Sequence, residues 1–260
     1  MTDRPILVTL PQSHYCEKAR WALDRAGVRY QEEPHLVFFH VFANLRRGGK
    51  RTTPVLVKDG KTFFDSTDIL VHLDRTVAPG SFYPTDPELR KEVESLEDEL
   101  DERFGPHTRR WAYAEVLVNP WRDRLMPVMS RGAPTWQLAV LPVLKPVAWR
   151  LLRKGLDATP EGGARSLARI DAVFDEIGRR LEDGRRYLVG DRFTAADLTF
   201  AALAAPVVAP PENRAAFPAL DELPPTMRAQ IDRFRDTPAG QLALRLYREE
   251  RNRSGPLPPT

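Results

Sequence analysis

Residues 5–26 of the chain are PILVTLPQSHYCEKARWALDRA. The apolar run 6–10 lies between two prolines and predicts a short buried strand. Ser13 is a preferred helix N-cap residue, and His14–Ala26, followed by Gly27, predicts a helix. A strand that leads directly into a helix begins a β-α unit, so the chain is expected to start with a mixed α/β layer.

The next fifty residues continue this alternation. The predicted strands are 28–32, 54–57 and 62–64, with Asp59-Gly60 as the hairpin turn between the last two. The predicted helices are 38–45 and one that Ser66 caps. The resulting order, β-α-β-α-β-β-α, predicts a parallel pair followed by an antiparallel hairpin. This is a thioredoxin-like layout of about 80 residues.

The remainder of the chain is predicted to be helical. We place the α/β domain at 1–78, a Pro-rich linker at 79–87, an all-α domain at 88–252 and a disordered tail at 253–260. The predicted helices of the second domain are 88–104, 166–181, 194–205, 226–235 and 238–251. Residues 105–163 hold helical pieces that are interrupted by Pro120, Pro127, Pro134, Pro142 and Pro146.

Composition excludes several classes of protein. The 260 residues carry a formal net charge of +3 and are 42% hydrophobic, which indicates a globular protein without a basic nucleic-acid-binding block. The single Cys16 excludes an intramolecular disulfide, and the five histidines lack metal spacing, so no metal is expected. No signal peptide or membrane span is visible, which predicts a cytoplasmic protein without stable membrane insertion.

The most apolar segment, 136–152, contains Pro142, Lys145 and Pro146. A packed helical segment is the favoured interpretation. A membrane-surface helix is the alternative, because Arg150, Arg153 and Lys154 cluster at one end.

Four local features, in this order and spacing, resemble the cytosolic glutathione transferase superfamily. They are the segment Ser13–Leu23 after the first strand, Thr53-Pro54-Val55-Leu56, Asp65-Ser66, and the Gly190–Asp197 segment GDRFTAAD. The resemblance covers residues 5–78 and 180–205 well and the middle of the chain poorly. It implies a thioredoxin-like domain followed by an all-α domain, with glutathione as co-substrate.

The resemblance also implies a catalytic residue. Ser13, at a helix start, would donate a hydrogen bond to the thiolate of glutathione; the plainer interpretation is an N-cap alone. Cys16 stands where redox-active relatives have their second cysteine. Because Ser13 replaces the first cysteine, a small buried residue is the favoured interpretation of Cys16.

Other residues are implied to bind the rest of glutathione. Ser66 suits the γ-glutamyl carboxylate and Asp65 the ammonium, whereas the plainer interpretation of both is helix capping. Arg51, or Lys50 beside it, suits the glycyl carboxylate. Thr53 and Pro54, where the family has a cis bond, would present the backbone of Val55 to the cysteinyl unit.

An apolar electrophile would bind between the two domains. The candidate lining residues are Tyr15, Phe38, Arg110, Trp111, Tyr113 and Trp121. A homodimer is expected, and no nucleic acid. Two alternatives stay open: a non-catalytic protein that binds a hydrophobic ligand or a thiol, and a glutathione-dependent thiol-disulfide oxidoreductase that uses Cys16.

Overall fold

A computed structural model describes residues 4–48, 50–117, 121–215 and 217–253. The strands are β1 (Ile6–Thr9), β2 (Gln31–Pro34), β3 (Val55–Lys58) and β4 (Lys61–Phe63). The helices are α1 (His14–Arg25), α2 (Phe39–Leu45), α3 (Ser66–Thr76), α4 (Pro87–Arg103), α5 (Gly105–Val116), α6 (Trp121–Arg124), α7 (Met126–Met129), α8 (Thr135–Gly155), α9 (Pro160–Arg180), α10 (Ala195–Val208), α11 (Pro225–Arg235) and α12 (Pro238–Glu250), with a 3₁₀ helix at Leu220–Glu222.

The four strands form one sheet in the order β2-β1-β3-β4. Strand β1 is parallel to β2 and antiparallel to β3, and β3 pairs with β4 in an antiparallel hairpin. Asp59 and Gly60 have φ of 50° and 72°, the left-handed conformation that a two-residue hairpin turn requires. The predicted topology is therefore confirmed.

One predicted strand is displaced. Strand β2 was expected at 28–32 and occupies Gln31–Pro34 instead. The amide of Gln31 donates to the carbonyl of Pro5 at 2.8 Å, so pairing with β1 begins only there. Because β2 is an edge strand, it tolerates polar residues and a terminal proline. The apolar residues at 28–32 therefore do not indicate where the strand lies.

Helix α10 forms the centre of the molecule. All fourteen of its residues are buried, and many are alanine, which lets neighbouring helices approach closely. Trp21 of α1 packs against Phe193, at 5.7 Å between ring centroids, and against Tyr247 of α12, at 4.8 Å. The α/β layer and the helices thus share one continuous core.

The segment predicted as a linker is tightly packed. The Asp74 carboxylate accepts hydrogen bonds from the amides of Phe82 (2.9 Å) and Tyr83 (3.2 Å). The carbonyl of Phe82 accepts from the amide of Ala195 at 2.8 Å. Residues 79–87 therefore form an irregular segment that hydrogen bonds hold in place between α3 of the α/β layer and α10. The domain boundaries themselves stay predictions, and the predicted tail, apart from Arg253, lies outside the described residues.

The middle of the chain is more helical than its prolines suggest. Pro142 and Pro146 lie inside the 21-residue α8, and α9 begins at Pro160 rather than at 166. Proline suits the first turn of a helix, where its missing N–H costs nothing, and Thr159 caps α9 through the amide of Gly162.

Among the described residues, no helix combines the length and apolar character needed to cross a membrane.

Candidate active site

A cleft of about 610 Å³ lies where the start of α1 and the start of α3 face helices α4, α5 and α10. Its polar side carries hydroxyl, carboxylate and guanidinium groups, and its far side is apolar. The lining residues include Leu10, Gln12, Ser13, His14, Tyr15, His40, Arg51, Thr52, Thr53, Pro54, Asp65, Ser66, Thr67, Asp98, Asp101, Glu102, Arg109, Ala112, Tyr113, Val116, Leu125, Pro206, Phe217, Pro218 and Met227. Two helix N-termini, which favour anions, therefore border one cavity.

Ser13 lines the cleft at the start of α1. It is the N-cap of this helix, and its Oγ accepts a hydrogen bond from the amide of Cys16 at 3.2 Å. A hydroxyl oxygen that accepts one hydrogen bond still has its own O–H to donate. Capping and donation to a bound anion are therefore compatible in the same side chain.

The thiol of Cys16 does not face the cleft. Its side chain is fully buried, and burial raises the pKa of the thiol, although Arg20 and hydrogen bonds involving Ser13 and Thr53 act in the opposite direction. Since the thiolate is the nucleophilic form, this environment is that of an inert structural cysteine.

Asp65, not Ser66, is the N-cap of α3, which corrects the predicted capping position. The Asp65 Oδ1 accepts from the amide of Thr67 at 3.0 Å and from the Ser66 hydroxyl at 3.4 Å. Ser66 is the first residue of the helix and is buried beneath the cleft surface. An Asx cap leaves the second carboxylate oxygen of Asp65 for another partner.

The start of β3 forms the adjoining edge of the cleft. Arg51, Thr53 and Pro54 line it, and the Thr53–Pro54 peptide bond is cis, as the resemblance implied. Val55 is buried as the first residue of β3, in register with Val8 of β1. Lys50 is exposed and is not among the residues that line the cleft.

A buried ion cluster supports the α3 side of the cleft. The side chain of Lys18 is 0% exposed and its Nζ lies 2.8 Å from Glu97 Oε1 and 2.6 Å from Asp101 Oδ2. The Thr67 hydroxyl accepts from the same Nζ at 3.0 Å, and the Tyr83 hydroxyl donates to Glu97 at 2.6 Å. This cluster fixes α1, α3 and α4 relative to one another.

Hydrogen bonds across the cleft also join the α/β layer to α4 and α5. The Tyr15 hydroxyl donates to the carbonyl of Asp101 at 2.8 Å, and Gln12 Nε2 donates to the Tyr113 hydroxyl at 3.1 Å. The His14 Nε2 lies 3.0 Å from the carbonyl of Gly105, which can only accept, so this nitrogen carries the proton.

The titration of these groups is strongly perturbed. Burial, assisted by the charge of Arg109, lowers the pKa of His14 from 6.5 to about 3, so the ring is neutral at pH 7. Burial raises the pKa of Tyr15 well above its usual range, with the Asp101 carboxylate adding to the effect. Both groups are therefore fixed hydrogen-bonding groups rather than acids or bases near neutral pH.

Two of the six predicted electrophile-pocket residues, Tyr15 and Tyr113, line the cleft; four do not. Trp111 is buried in the core. Arg110 donates to the carbonyl of Leu156, just after α8, at 2.8 Å and to the Ser166 hydroxyl of α9 at 3.3 Å. Phe38 lines a separate groove beside α8. Trp121 lies under the guanidinium of Arg124, at 4.6 Å from its ring centroid.

Arg109 is the principal residue that the sequence reasoning missed. It shares one face of α5 with Ala112, Tyr113 and Val116, at the helical spacing i, i+3, i+4, i+7, and this face borders the cleft. Helical spacing counted from Tyr113 would have indicated Arg109 from the sequence, and the same spacing places Arg110 and Trp111 on other sides of α5. The buried Nε of Arg109 has no hydrogen-bond partner among the residues that the structure describes.

Within the described ranges, no group of three or more His, Cys, Asp or Glu side chains is placed to hold a metal ion.

Two sequence-family profiles match the chain. The profile described as glutathione S-transferase, N-terminal domain, matches residues 7–81, and that described as glutathione S-transferase, C-terminal domain, matches 160–228. Together they span more than half of the chain, so the protein belongs to the glutathione S-transferase superfamily. No curated protein matches its sequence.

Solved structures share this fold at low sequence identity. A glutathione S-transferase of Ceriporiopsis subvermispora in complex with glutathione has a TM-score of 0.63 at 18% identity, covering 95% of this chain and 98% of its own. A β-etherase from Sphingobium sp. strain SYK-6 has a TM-score of 0.55 at 20% identity, covering 94% and 99%. A glutathione S-transferase from Xanthobacter autotrophicus Py2 has a TM-score of 0.54 at 18% identity, covering 90% and 94%.

Proposed function

We propose that the protein is a glutathione transferase in which Ser13 stabilises the glutathione thiolate for attack on an electrophile. The observation that carries this proposal is the position of Ser13: a hydroxyl at the N-terminus of α1 that lines the same cleft as the N-terminus of α3. The sulfur would form a bond to the electrophilic carbon, and the leaving group would depart with the electron pair.

The required stabilisation of the thiolate is small enough for these groups to supply. A free thiol has a pKa near ~8.5, and lowering it by about two units corresponds to ~2.7 kcal/mol. A hydrogen bond to a charged group supplies ~1.5–3 kcal/mol, and a helix N-terminus ~0.3–1 kcal/mol. One hydroxyl at one helix start is therefore sufficient. A thiolate would also attract the Ser13 O–H more strongly than the neutral Cys16 thiol does.

The remaining cleft residues suit the two ends of glutathione. The γ-glutamyl carboxylate would accept hydrogen bonds at the start of α3, from the Ser66 amide and hydroxyl. The ammonium would pair with the free oxygen of Asp65, and the glycyl carboxylate with Arg51. The peptide edge at Thr53, Pro54 and Val55 would hold the cysteinyl unit between them.

The electrophile would lie on the helical side of the cleft. Val116, Leu125, Pro206 and Met227 supply apolar surface there. The Arg109 side chain is half-buried, and its buried Nε has no hydrogen-bond partner among the described residues. We therefore expect an acceptor substrate with an apolar body and a carbonyl or carboxylate oxygen that Arg109 can bind, because leaving such a donor unpaired is costly.

The two alternatives differ in what supports them. A thiol-disulfide oxidoreductase would need Cys16 as an accessible thiolate, and the burial of that side chain disfavours it. A non-catalytic binding protein would use the same cleft without turnover. We also propose that the protein is a cytoplasmic homodimer, which sedimentation velocity and cell fractionation test.

A thermal-denaturation titration with reduced glutathione tests the site. At a hundredfold excess over the dissociation constant, ligand binding stabilises the native state by ~2.7 kcal/mol. For a chain of this size, that corresponds to an increase in Tm of roughly 5–10 °C.

The test variant is Asp65→Asn/Ser66→Ala, because asparagine preserves the cap while removing the charge. Asp86→Asn, at the equivalent cap of α4 outside the cleft, is the matched control. We expect the shift in wild type and in the control and its loss in the test variant. No shift in wild type, or an equal shift in all three proteins, would contradict the proposed site. A shift without turnover of any electrophile would favour the binding protein.

A further inference from the structure

The long helix α8 presents an apolar stripe to solvent. Trp136, Val140, Val143, Val147 and Leu151 follow the spacing i, i+4, i+7, i+11, i+15, which places them on one side of the helix. All are exposed, Val143 at 79%, Val147 at 60% and Trp136 at 58%. Exposed apolar side chains are ordinary when scattered, but a continuous stripe marks a surface that something covers.

The opposite side of α8 is already packed. The Gln137 side chain is buried and its Oε1 accepts from the amide of Leu36 at 2.9 Å, and Trp149 is also buried. Between α8 and α2 runs a groove of about 280 Å³ lined almost entirely by apolar side chains. Val147 and Leu151 of the stripe also line this groove, so the stripe and the groove form one apolar surface that the described protein leaves uncovered.

The neighbouring part of α2 extends this surface. Phe42 is 66% exposed and Leu45 is 52% exposed, and the ring of Phe39 meets Trp136 edge-on at 5.3 Å between centroids. We call the exposed side chains of Phe42, Leu45 and the α8 stripe the apolar face.

The segment that carries the apolar stripe is basic. Residues 121–155 contain seven Arg or Lys and one acid, Asp123, in a protein with 39 basic and 36 acidic residues overall. Asp123 is already paired with Lys145 at 2.5 Å. Arg150, Arg153 and Lys154 are exposed, and no acid lies within 4.0 Å of their charged groups in the described parts of the chain. Arg150 lies beside the stripe, three residues after Val147, and Lys154 prolongs the stripe by one turn.

We propose that the apolar face binds the surface of an anionic lipid bilayer, with α8 lying in the plane of the interface. Apolar side chains would enter the acyl boundary, Trp136 would lie at headgroup level, and Arg150, Arg153 and Lys154 would contact lipid phosphates. Pro142 and Pro146 remove two helix N–H donors, so the carbonyls of Leu138 and Pro142 need water or another donor nearby, which an interface supplies.

The positive charge beside the apolar face favours an anionic lipid surface over a second copy of the chain. A symmetric contact through the apolar face would bring together two segments that are both strongly basic. The only acid in residues 121–155 is already paired, so a second copy offers no counter-charge from this segment. An anionic lipid surface supplies that charge, and each basic residue near it strengthens binding by about fivefold.

The test is co-sedimentation of the full-length protein with vesicles. Vesicles of phosphatidylcholine alone are compared with vesicles containing about 30% phosphatidylglycerol. We expect binding to the anionic vesicles only, weakened when the salt concentration is raised from about 0.1 to 0.5 M, because surface charges are then screened.

Two variants and two matched controls locate the binding surface. Val143→Asp/Val147→Asp should abolish binding, and Arg150→Gln/Arg153→Gln/Lys154→Gln should weaken it by roughly a hundredfold, at about fivefold per charge. The controls are Val77→Asp/Leu89→Asp, just after α3 and on α4, and Arg75→Gln/Arg228→Gln/Arg248→Gln. They make similar changes at exposed positions elsewhere and should leave binding unchanged.

Three outcomes would overturn the proposal. The first is failure of the wild-type protein to sediment with anionic vesicles. The second is an equal loss of binding in the controls. The third is a wild-type oligomer that Val143→Asp/Val147→Asp converts to a smaller species, which would show that a second copy covers the apolar face. Native circular dichroism and unchanged glutathione-induced stabilisation in each variant exclude misfolding as the cause.

Discussion

Removing the Ser13 hydroxyl should raise the pKa of bound glutathione. A hydrogen bond to a charged group contributes ~1.5–3 kcal/mol, which corresponds to about one to two pKa units. Starting from a bound-thiol pKa of about 6.5, the thiolate fraction at pH 7, and with it kcat/KM, should therefore fall by roughly 4- to 40-fold in Ser13→Ala. The pKa is measured from the ultraviolet absorbance of the bound thiolate as a function of pH.

The cap function of Ser13 can be separated from this chemical role. Ser13 Oγ also accepts from the Cys16 amide, so alanine costs ~1 kcal/mol of helix capping, whereas glycine costs only a few tenths. Ser13→Ala and Ser13→Gly should therefore raise the thiol pKa equally while differing in stability, and Ser13→Thr should restore the lower pKa. An unchanged thiol pKa in both Ser13→Ala and Ser13→Gly would refute the reasoning.

Three further predictions follow from the surroundings of the cleft. Cys16→Ala should leave the conjugation rate unchanged, and Cys16 should resist alkylation in the native protein, because the thiol is buried and its pKa is raised; loss of activity would revive the oxidoreductase alternative. Lys18→Met should lower the free energy of unfolding by ~3–5 kcal/mol in urea titrations, since Glu97 and Asp101 would lose their buried counter-charge, whereas exposed Arg75→Met should change it little. The pKa of His14 is about 3 in the folded protein and 6.5 in the unfolded chain, so the native state binds fewer protons between these pH values. The contribution of His14 to the free energy of unfolding is therefore full above pH 6.5 and falls as the pH drops, by up to ~1.4 kcal/mol per pH unit. His14→Gln should lack this component of the pH dependence of stability, and a pH profile identical to that of wild type would contradict the burial of His14.

The sheet could be predicted because its signals are local. The apolar run at 6–10 and the Asp59-Gly60 turn each correspond to one backbone geometry, and both appear in the structure. The cap at the start of α10 is equally local, because the Asp197 carboxylate accepts from the amide of Thr194, only three residues earlier, at 2.9 Å. Strand β2 was misplaced because an edge strand is determined by its partner and not by its own residues.

The cleft could be predicted only in part. Ser13, Arg51, Thr53, Pro54, Asp65 and Ser66 were predicted from the resemblance to glutathione transferases, and they line one cavity. Which α5 residues line the cleft depends on the rotation of that helix about its axis. The prolines in this part of the sequence hid the helix boundaries from which that rotation could have been predicted. Trp111 and Arg110 were chosen for residue type, but the helical register puts Arg109 in the cleft instead. The anchoring of residues 79–87 by Asp74 is a contact between a helix and the irregular segment after it, which no sequence pattern showed.

The most direct test of the glutathione site is a crystal structure of the protein with reduced glutathione. The account predicts the glutathione sulfur within hydrogen-bond distance of Ser13 Oγ and the γ-glutamyl carboxylate at the amide of Ser66. Glutathione bound elsewhere, or its sulfur directed away from Ser13, would contradict the central claim.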